Sequence, residues 1–194
     1  MIKYLPLLLL AFLVNSCCKD HSDIIPGQNF IPADILDQIV ENGQVIYEGF
    51  NPPVLNGKYL MSVATLVSSN FSDQLSPGDT FVDAIIEFSK FNANSLTLEV
   101  AIEEVGVLKG DGFGSFISGE GDNFTIYVRI DSKDTLGHEF LQADVYSGTM
   151  DDNGIIDLQR SVFMIDDKGD PNGGYIENGQ GRLIIDGDGF SPKI

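Results

Sequence analysis

Two acidic loops carry the densest set of potential ligands in the chain. Asp151-Asp152-Asn153-Gly154 and Asp166-Asp167-Lys168-Gly169-Asp170-Pro171-Asn172-Gly173 put hard oxygen donors on backbone that can bend, the combination that Ca²⁺ requires. Asp151, Asp152, Asn153, Asp166, Asp167 and Asp170 are therefore the candidate calcium ligands. Neither loop follows the twelve-residue EF-hand order: with Asp166 as the first ligand, the third position is Lys168. The same residue types also build tight turns by bonding their own backbone, and that reading stands beside the metal one.

Groups suited to catalysis are scarce. There are two histidines, His21 near the N-terminus and His138 beside Glu139. The only cysteines are Cys17 and Cys18, so no disulfide framework and no cysteine-based metal site is expected. A serine nucleophile would have only His138 as its base, and neither Gly-x-Ser-x-Gly, His-Glu-x-x-His nor a phosphate-cradling glycine loop occurs. Paired carboxylates for glycoside hydrolysis stay open, because acids are plentiful and pairing is a matter of space. The chain has no Trp, the usual aromatic platform for sugars, although Tyr127, Tyr146 and Tyr175 could substitute. The balance leans away from an enzyme. Among the few cations, Arg160 falls on the same alternation as Ile156, Leu158, Val162 and Met164. A cation on an apolar face snorkels, pairs with a buried acid, or in a barrel meets a ligand carboxylate.

Charge narrows the partners. Asp and Glu number 29 against 11 Lys and Arg, a formal net charge of -18. Phosphate backbones and anionic headgroups repel such a chain, so nucleic acid is excluded. The acids are scattered rather than blocked, as on a surface that resists self-association.

The elements that must position these residues are mostly strands. Pro32, the helical spacing of Ile35, Leu36, Ile39 and Val40, and the stop Asn42-Gly43 predict one short N-terminal helix, a lid or plug against a sheet. Beyond Gly43 the period becomes two. Phe124, Ile126, Val128 and Ile130 alternate with Thr125, Tyr127 and Arg129, which predicts one face on a core and one in water. Leu96, Leu98, Val100 and Ile102 repeat the pattern, as do Val82, Ala84, Ile86 and Phe88; further strands are expected over 44–48, 59–67, 140–146, 155–165 and 182–186. Turn chemistry at 76–79, 92–94, 109–112, 151–154 and 170–174 favours antiparallel hairpins. The expected fold class is all-β: an antiparallel β-barrel or a two-sheet β-sandwich, either of which buries the apolar face and limits free edges, with the short helix leading.

The N-terminus carries an address. Met1-Ile2-Lys3 precedes an apolar stretch from Tyr4 to Val14 interrupted only by Pro6, the layout of a secretory signal; it is too short to span a bilayer, which takes about twenty apolar residues. Val14-Asn15-Ser16-Cys17 resembles the bacterial lipobox, with Asn15 an unusual filler, and the resemblance implies cleavage before Cys17 and a lipid on it. Residues 1–16 are then a signal peptide, 17–30 a lipidated tether, and 31–194 a single β domain. Acyl chains contribute about 0.8 kcal/mol per buried methylene, so a multiply acylated cysteine anchors durably. Cys18-Lys19-Asp20 resembles the lipoprotein export signal of Bacteroidota, implying display on the outer face of the outer membrane; His21 stands where a further acid is expected.

Longer segments resemble a group of uncharacterised surface lipoproteins of Bacteroidota: Ile31-Pro32 with Ile35-Leu36, Tyr47-Glu48-Gly49, Asn51-Pro52-Pro53 with Gly57-Lys58-Tyr59, and Gly179-Gln180-Gly181-Arg182 with Asp188-Gly189-Phe190. A short helix followed by Gly57-Lys58-Tyr59 also resembles the lipocalin start, with Tyr59 in place of the usual tryptophan. These resemblances imply an anchored β domain and no particular activity. Two functions follow as expectations: a non-catalytic binding module for a small apolar ligand, a glycan or a partner protein, or a hydrolase of extracellular polysaccharide using paired carboxylates. An enclosed apolar cavity above roughly 300 Å³ favours the first reading. Two acids facing each other across an open groove favour the second.

Overall fold

The computed structural model describes residues 30–72, 74–170 and 173–194. The segment expected to be a signal peptide, Cys17 and the expected tether up to residue 29 lie outside the described residues, as do Pro171 and Asn172 of the second acidic loop. Helix α1 spans Ala33–Glu41. Pro32 precedes it with φ -52, and its carbonyl accepts the first bonds, from the Ile35 and Leu36 amides. Proline is thus the residue before the helix rather than its first member. Asn42 and Gly43 end it, the glycine at φ 102 where a side chain would be strained. Among the described residues no helix is long and apolar enough to cross a membrane.

Everything else is built on one sheet of eleven strands. In chain order these are β1 (Phe50–Asn51), β2 (Gly57–Met61), β3 (Ala64–Ser69), β4 (Ala84–Asn92), β5 (Thr97–Glu104), β6 (Leu108–Glu120), β7 (Asn123–Asp134), β8 (Glu139–Asp151), β9 (Gly154–Asp166), β10 (Gly181–Asp186) and β11 (Phe190–Pro192). Pairing runs β2-β4-β5-β6-β7-β8-β9-β10-β3, antiparallel throughout, while β11 joins β9 and the short β1 lies parallel to β6. The single sheet is strongly curled into a half-barrel. The two ends of the path, β2 and β3, are consecutive in the chain and separated only by Ser62 and Val63, the latter at φ 52. The C-terminus clasps the curl as well: the Lys193 amide donates to Asn153 O (2.8 Å) and that of Ile194 to Lys58 O (2.9 Å), joining the β8–β9 turn to β2.

The curl gives the sheet two unequal apolar sides. Tyr59, Ile86, Phe88, Val100, Phe124, Ile126, Val128, Tyr146 and Leu158, from strands all around the sheet, converge with Leu55 of the β1–β2 connection in one large core, so this is the concave side. The outer cluster is local: Ile31, Ile35, Leu36 and Ile39 pack on Tyr127, Ala143, Val145 and Phe163 of β7, β8 and β9. Helix α1 is therefore neither lid nor plug but a cover on the outside of three strands. That overturns the expected wet face of 124–130, where Thr125 and Tyr127 are fully buried.

Three other expectations are corrected. Residues 44–48 form no strand but a strap: the Val45 amide donates to Gln159 Oε1 and that of Tyr47 to Thr125 Oγ1, while the Tyr47 carbonyl accepts from Ser118 Oγ. The run 59–67 is broken at Ser62-Val63 into β2 and β3. Lys109-Gly110-Asp111-Gly112 is no turn; it lies inside β6, a strand that the alternation does not show. Its glycines make room rather than bends. A Cβ on Gly110 would stand 2.5 Å from Ile130 Cγ2 and 2.6 Å from Ser132 Oγ, and one on Gly112 would stand 2.6 Å from Val128 Cγ2. The hairpin turn at 151–154, by contrast, is formed as expected, with Asp151 opposite Gly154.

Because the clash at Gly110 is with a fully buried isoleucine, Gly110→Ala is expected to destabilise the protein by about 1–3 kcal/mol. Urea unfolding should show a lower midpoint with an unchanged slope. An unchanged midpoint would mean that Ile130 yields.

Candidate functional site

Strand pairing sets Tyr146 of β8 opposite Arg160 of β9 and Asp144 opposite Val162, so Gln142, Asp144 and Tyr146 share the concave side with Arg160. The Arg160 side chain is 2 % exposed and that of Asp144 0 %. Arg160 donates from Nε to Asp144 Oδ2 (2.7 Å) and from one Nη to Glu104 Oε1 (2.7 Å), reaching across to the end of β5. Asp144 is filled from two further sides, by the Tyr146 hydroxyl on Oδ2 (2.7 Å) and by Gln142 Nε2 on Oδ1 (2.9 Å). Of the three fates open to a cation on an apolar face, pairing with buried acid is the one observed.

The electrostatics follow from this packing. Burial pushes the Asp144 carboxyl above the usual carboxylate value, with Arg160 and the Tyr146 hydroxyl pulling the other way. Burial also opposes charge on Arg160, but the pull of Asp144, Tyr146 and Glu104 outweighs it, so the guanidinium is held firmly protonated. Burial and the neighbouring Asp144 raise the Tyr146 hydroxyl well above its ordinary value, which keeps it a neutral donor.

Above this cluster lies a cavity of about 240 Å³. Met61, Phe81, Leu108, Phe140, Met164 and Tyr175 are among its apolar walls; Arg160, Glu104, Gln142 and Arg182 are its polar ones. The guanidinium of Arg182 lies over Phe71 and Phe81, with ring centroids 4.9 and 5.9 Å away. The β9–β10 connection brings Tyr175 onto Phe140, ring centroids 4.8 Å apart, and the Tyr175 hydroxyl donates to Asp134 Oδ2 (2.8 Å).

Asp134 is the post on which that roof hangs. Its Oδ1 accepts from the Leu136 and His138 amides (2.8 and 2.9 Å), and its Oδ2 lies 3.1 Å from His138 Nδ1. Burial opposes ionisation of Asp134, but the bonds from Tyr175, His138 and Leu136 prevail and hold the carboxyl well below the usual range. Tyr175 is in turn pushed up to about 12 by burial and by Asp134. His138 thus serves the turn before β8.

Four of the six residues proposed as calcium ligands, Asp151, Asp166, Asp167 and Asp170, accept hydrogen bonds on their own loops. Asp151 Oδ1 accepts the Asn153 amide (3.0 Å) in the β8–β9 turn, which also holds Asp152. Asp166 takes the Lys168 amide on Oδ1 and its ammonium on Oδ2, at 2.9 and 2.8 Å. Asp167 accepts the Gly169 amide (2.9 Å), and Asp170 accepts those of Gly174 and Tyr175, each at 3.0 Å. Among the described residues no three His, Cys, Asp or Glu side chains gather in an arrangement that could hold a metal. Asp166, Asp167 and Asp170 shape the connection that delivers Tyr175.

Arg160 is the one member of the buried cluster that its sequence position marks out. Asp144, Glu104 and Gln142 carry no comparable signal, because an acid or amide within a strand reads as solvent-facing. Searches by sequence and by structure find no family model, no curated protein and no solved structure that matches this chain.

Removing Arg160 alone would strand a buried carboxylate, so Arg160→Met is expected to destabilise by about 3–5 kcal/mol. Combining it with Asp144→Leu should restore part of that loss, since the fully buried carboxylate is gone and the acid left without its partner, Glu104, is 22 % exposed. Denaturant unfolding of the two variants checks this; a double variant as weak as the single one would show that packing, not charge, is what Arg160 supplies.

Proposed function

We propose that this chain is a non-catalytic binding module, held to the outer membrane by a lipid on Cys17 and displayed at the cell surface, whose cavity takes a small, largely apolar ligand. The cavity at the end of the curled sheet carries this reading: apolar walls, a few converging polar groups, and a tyrosine roof fixed by a dedicated carboxylate. Its size limits the guest. At about 240 Å³ it falls short of the roughly 300 Å³ at which ordinary ligand pockets begin, yet exceeds the roughly 150 Å³ that accommodates benzene. The ligand is then a single ring or short chain rather than an extended lipid or an oligosaccharide.

The arrangement of acids favours binding over hydrolysis. Two-carboxylate glycoside cleavage needs the pair to face each other across the scissile bond. Asp144 and Glu104 instead grip the same guanidinium, and Asp144 has no exposed surface.

Met61 and Met164 line the cavity, whereas Met150 packs elsewhere against the core, so methionine methyl signals report on occupancy. Ring-sized neutral fragments are expected to move the Met61 and Met164 methyl resonances and leave Met150 in place. Ala64→Leu, which fills part of the cavity, should abolish the shifts. A fragment screen that leaves both methyls unmoved would end the binding reading.

The anchor has its own check. Radiolabelled palmitate should enter the wild-type chain in its native host and be absent from Cys17→Ala; equal labelling of both would refute it.

A further inference from the structure

The turn between β10 and β11 hides an acid that no base answers. Asp186, the last residue of β10, is 3 % exposed. Its Oδ2 accepts the hydroxyl of Ser191, a fully buried residue of β11, and its Oδ1 has only a long contact from the Asp188 amide (3.4 Å). Among the described residues no Lys, Arg or His forms an ion pair with it. Asp144, equally hidden, differs in being held against Arg160.

The titratable groups set around Asp186 bring it no counter-charge. On its own turn Asp188 accepts a hydrogen bond from the protonated carboxyl. From β9, Asp157 lines the same cavity of about 260 Å³ and donates its amide to Gly189 O (3.0 Å). The strap adds Tyr47 to that cavity, and β3 sets Ala64 opposite Asp186. Lys193, which follows β11, lies over Gly57 of β2, with its Cε 2.5 Å from where a Cβ there would stand. Burial therefore raises the Asp186 carboxyl above the usual carboxylate value and the charge of Asp188 adds to this, while the bonds from Ser191 and the Asp188 amide pull the other way.

The closure of the sheet hangs on this carboxyl. Ser191 belongs to β11, which pairs with β9 and leads into Lys193 and Ile194, the residues that clasp Asn153 and Lys58. Asp186 thus links the end of β10 to the C-terminal clasp through its side chain. An ionised carboxylate in this place is short of water and of positive charge, and it regains water when the turn and β11 part. We infer that Asp186 is a proton-operated pin: with its carboxyl protonated the β10–β11 turn and the C-terminal clasp are shut, and with it ionised they open more readily.

A carboxyl that holds its proton more tightly when folded adds stability that is fully present below the ordinary value of about 3.9 and is lost as pH rises through the folded value. Asp134 and Asp166, held below the usual range, act in the opposite sense, and Asp144 acts in the same sense but in the core. The pin is therefore read at the clasp itself, by amide hydrogen exchange at Lys193 and Ile194, expressed as protection over the unstructured chain. In the full chain that protection is expected to fall as pH rises, about tenfold in all for each unit by which the folded midpoint of Asp186 exceeds the ordinary one. In Asp186→Asn, which keeps the shape and cannot ionise, it should stay flat. A carbon-13 titration of the wild-type carboxyl gives the midpoint directly, so the two wild-type measurements decide the matter should the variant fail to fold. A midpoint at or below the ordinary value, wild-type protection that ignores pH, or a variant that follows pH as steeply as the wild type would each overturn the inference.

Discussion

A guanidinium and a carboxylate, both taken out of water, set the constraint on which the rest of this structure depends. Burying such ions costs several kcal/mol each unless their geometry is nearly complete. Here Asp144 receives three donors and Arg160 two acceptors. The second of those acceptors is informative about shape. In pairing order β5 and β9 are four strands apart, about 19 Å along a flat sheet at the usual spacing of about 4.8 Å. Glu104 nevertheless lies 2.7 Å from Arg160, closer than side-chain reach could bring it without curvature. The ion cluster therefore requires the curl, and in return ties its opposite sides together.

Much of the fold is legible in the sequence because one side of most strands faces a single apolar core. Phe124, Ile126, Val128 and Ile130, or Leu98, Val100 and Ile102, show the two-residue period plainly and are buried as expected. The period fails where both sides are covered. In β8 the run from Phe140 to Gly148 is buried save Leu141, with Ala143 and Val145 beneath α1 and Tyr146 in the main core, so inside and outside look alike. It fails again in β6, where Gly110 and Gly112 give up their side chains to Ile130 and Val128. A glycine that makes room for a neighbour cannot be told from one that bends the chain until the neighbour is known.

The site was half legible for a related reason. Arg160 on an apolar alternation admits a buried acid as one of three fates, but does not say which acid. Counting inward from the Asp151–Gly154 turn without interruption would pair Arg160 with Val145. The irregularity between Ser147 and Thr149 shifts the pairing by one, to Tyr146, and a shift of one exchanges the two sides of a strand. Asp144 thereby turns inward. Ile156 shows the same slip on the facing strand: it is exposed, Ile155 is buried in its place, and Asp157 between it and Leu158 has φ 50. The acidic loops were the converse case, rich in donors by composition yet already occupied by the amides of their own turns.

The break at Ser62-Val63 has a consequence for how the molecule meets its copies. A curled sheet would ordinarily end in two exposed margins, each a row of idle amides and carbonyls inviting another chain to extend it. Here β2 has Lys193 and Ile194 alongside it, and β3 has the stretch from Gly78 to Phe81, with Leu66 bonded to Asp79 and Phe81 to Ala64. Each margin is thus sheathed by the chain itself. A polypeptide this rich in β-structure gains from that a built-in safeguard against fibril-like growth, and it needs neither a partner subunit nor a covering helix to provide it.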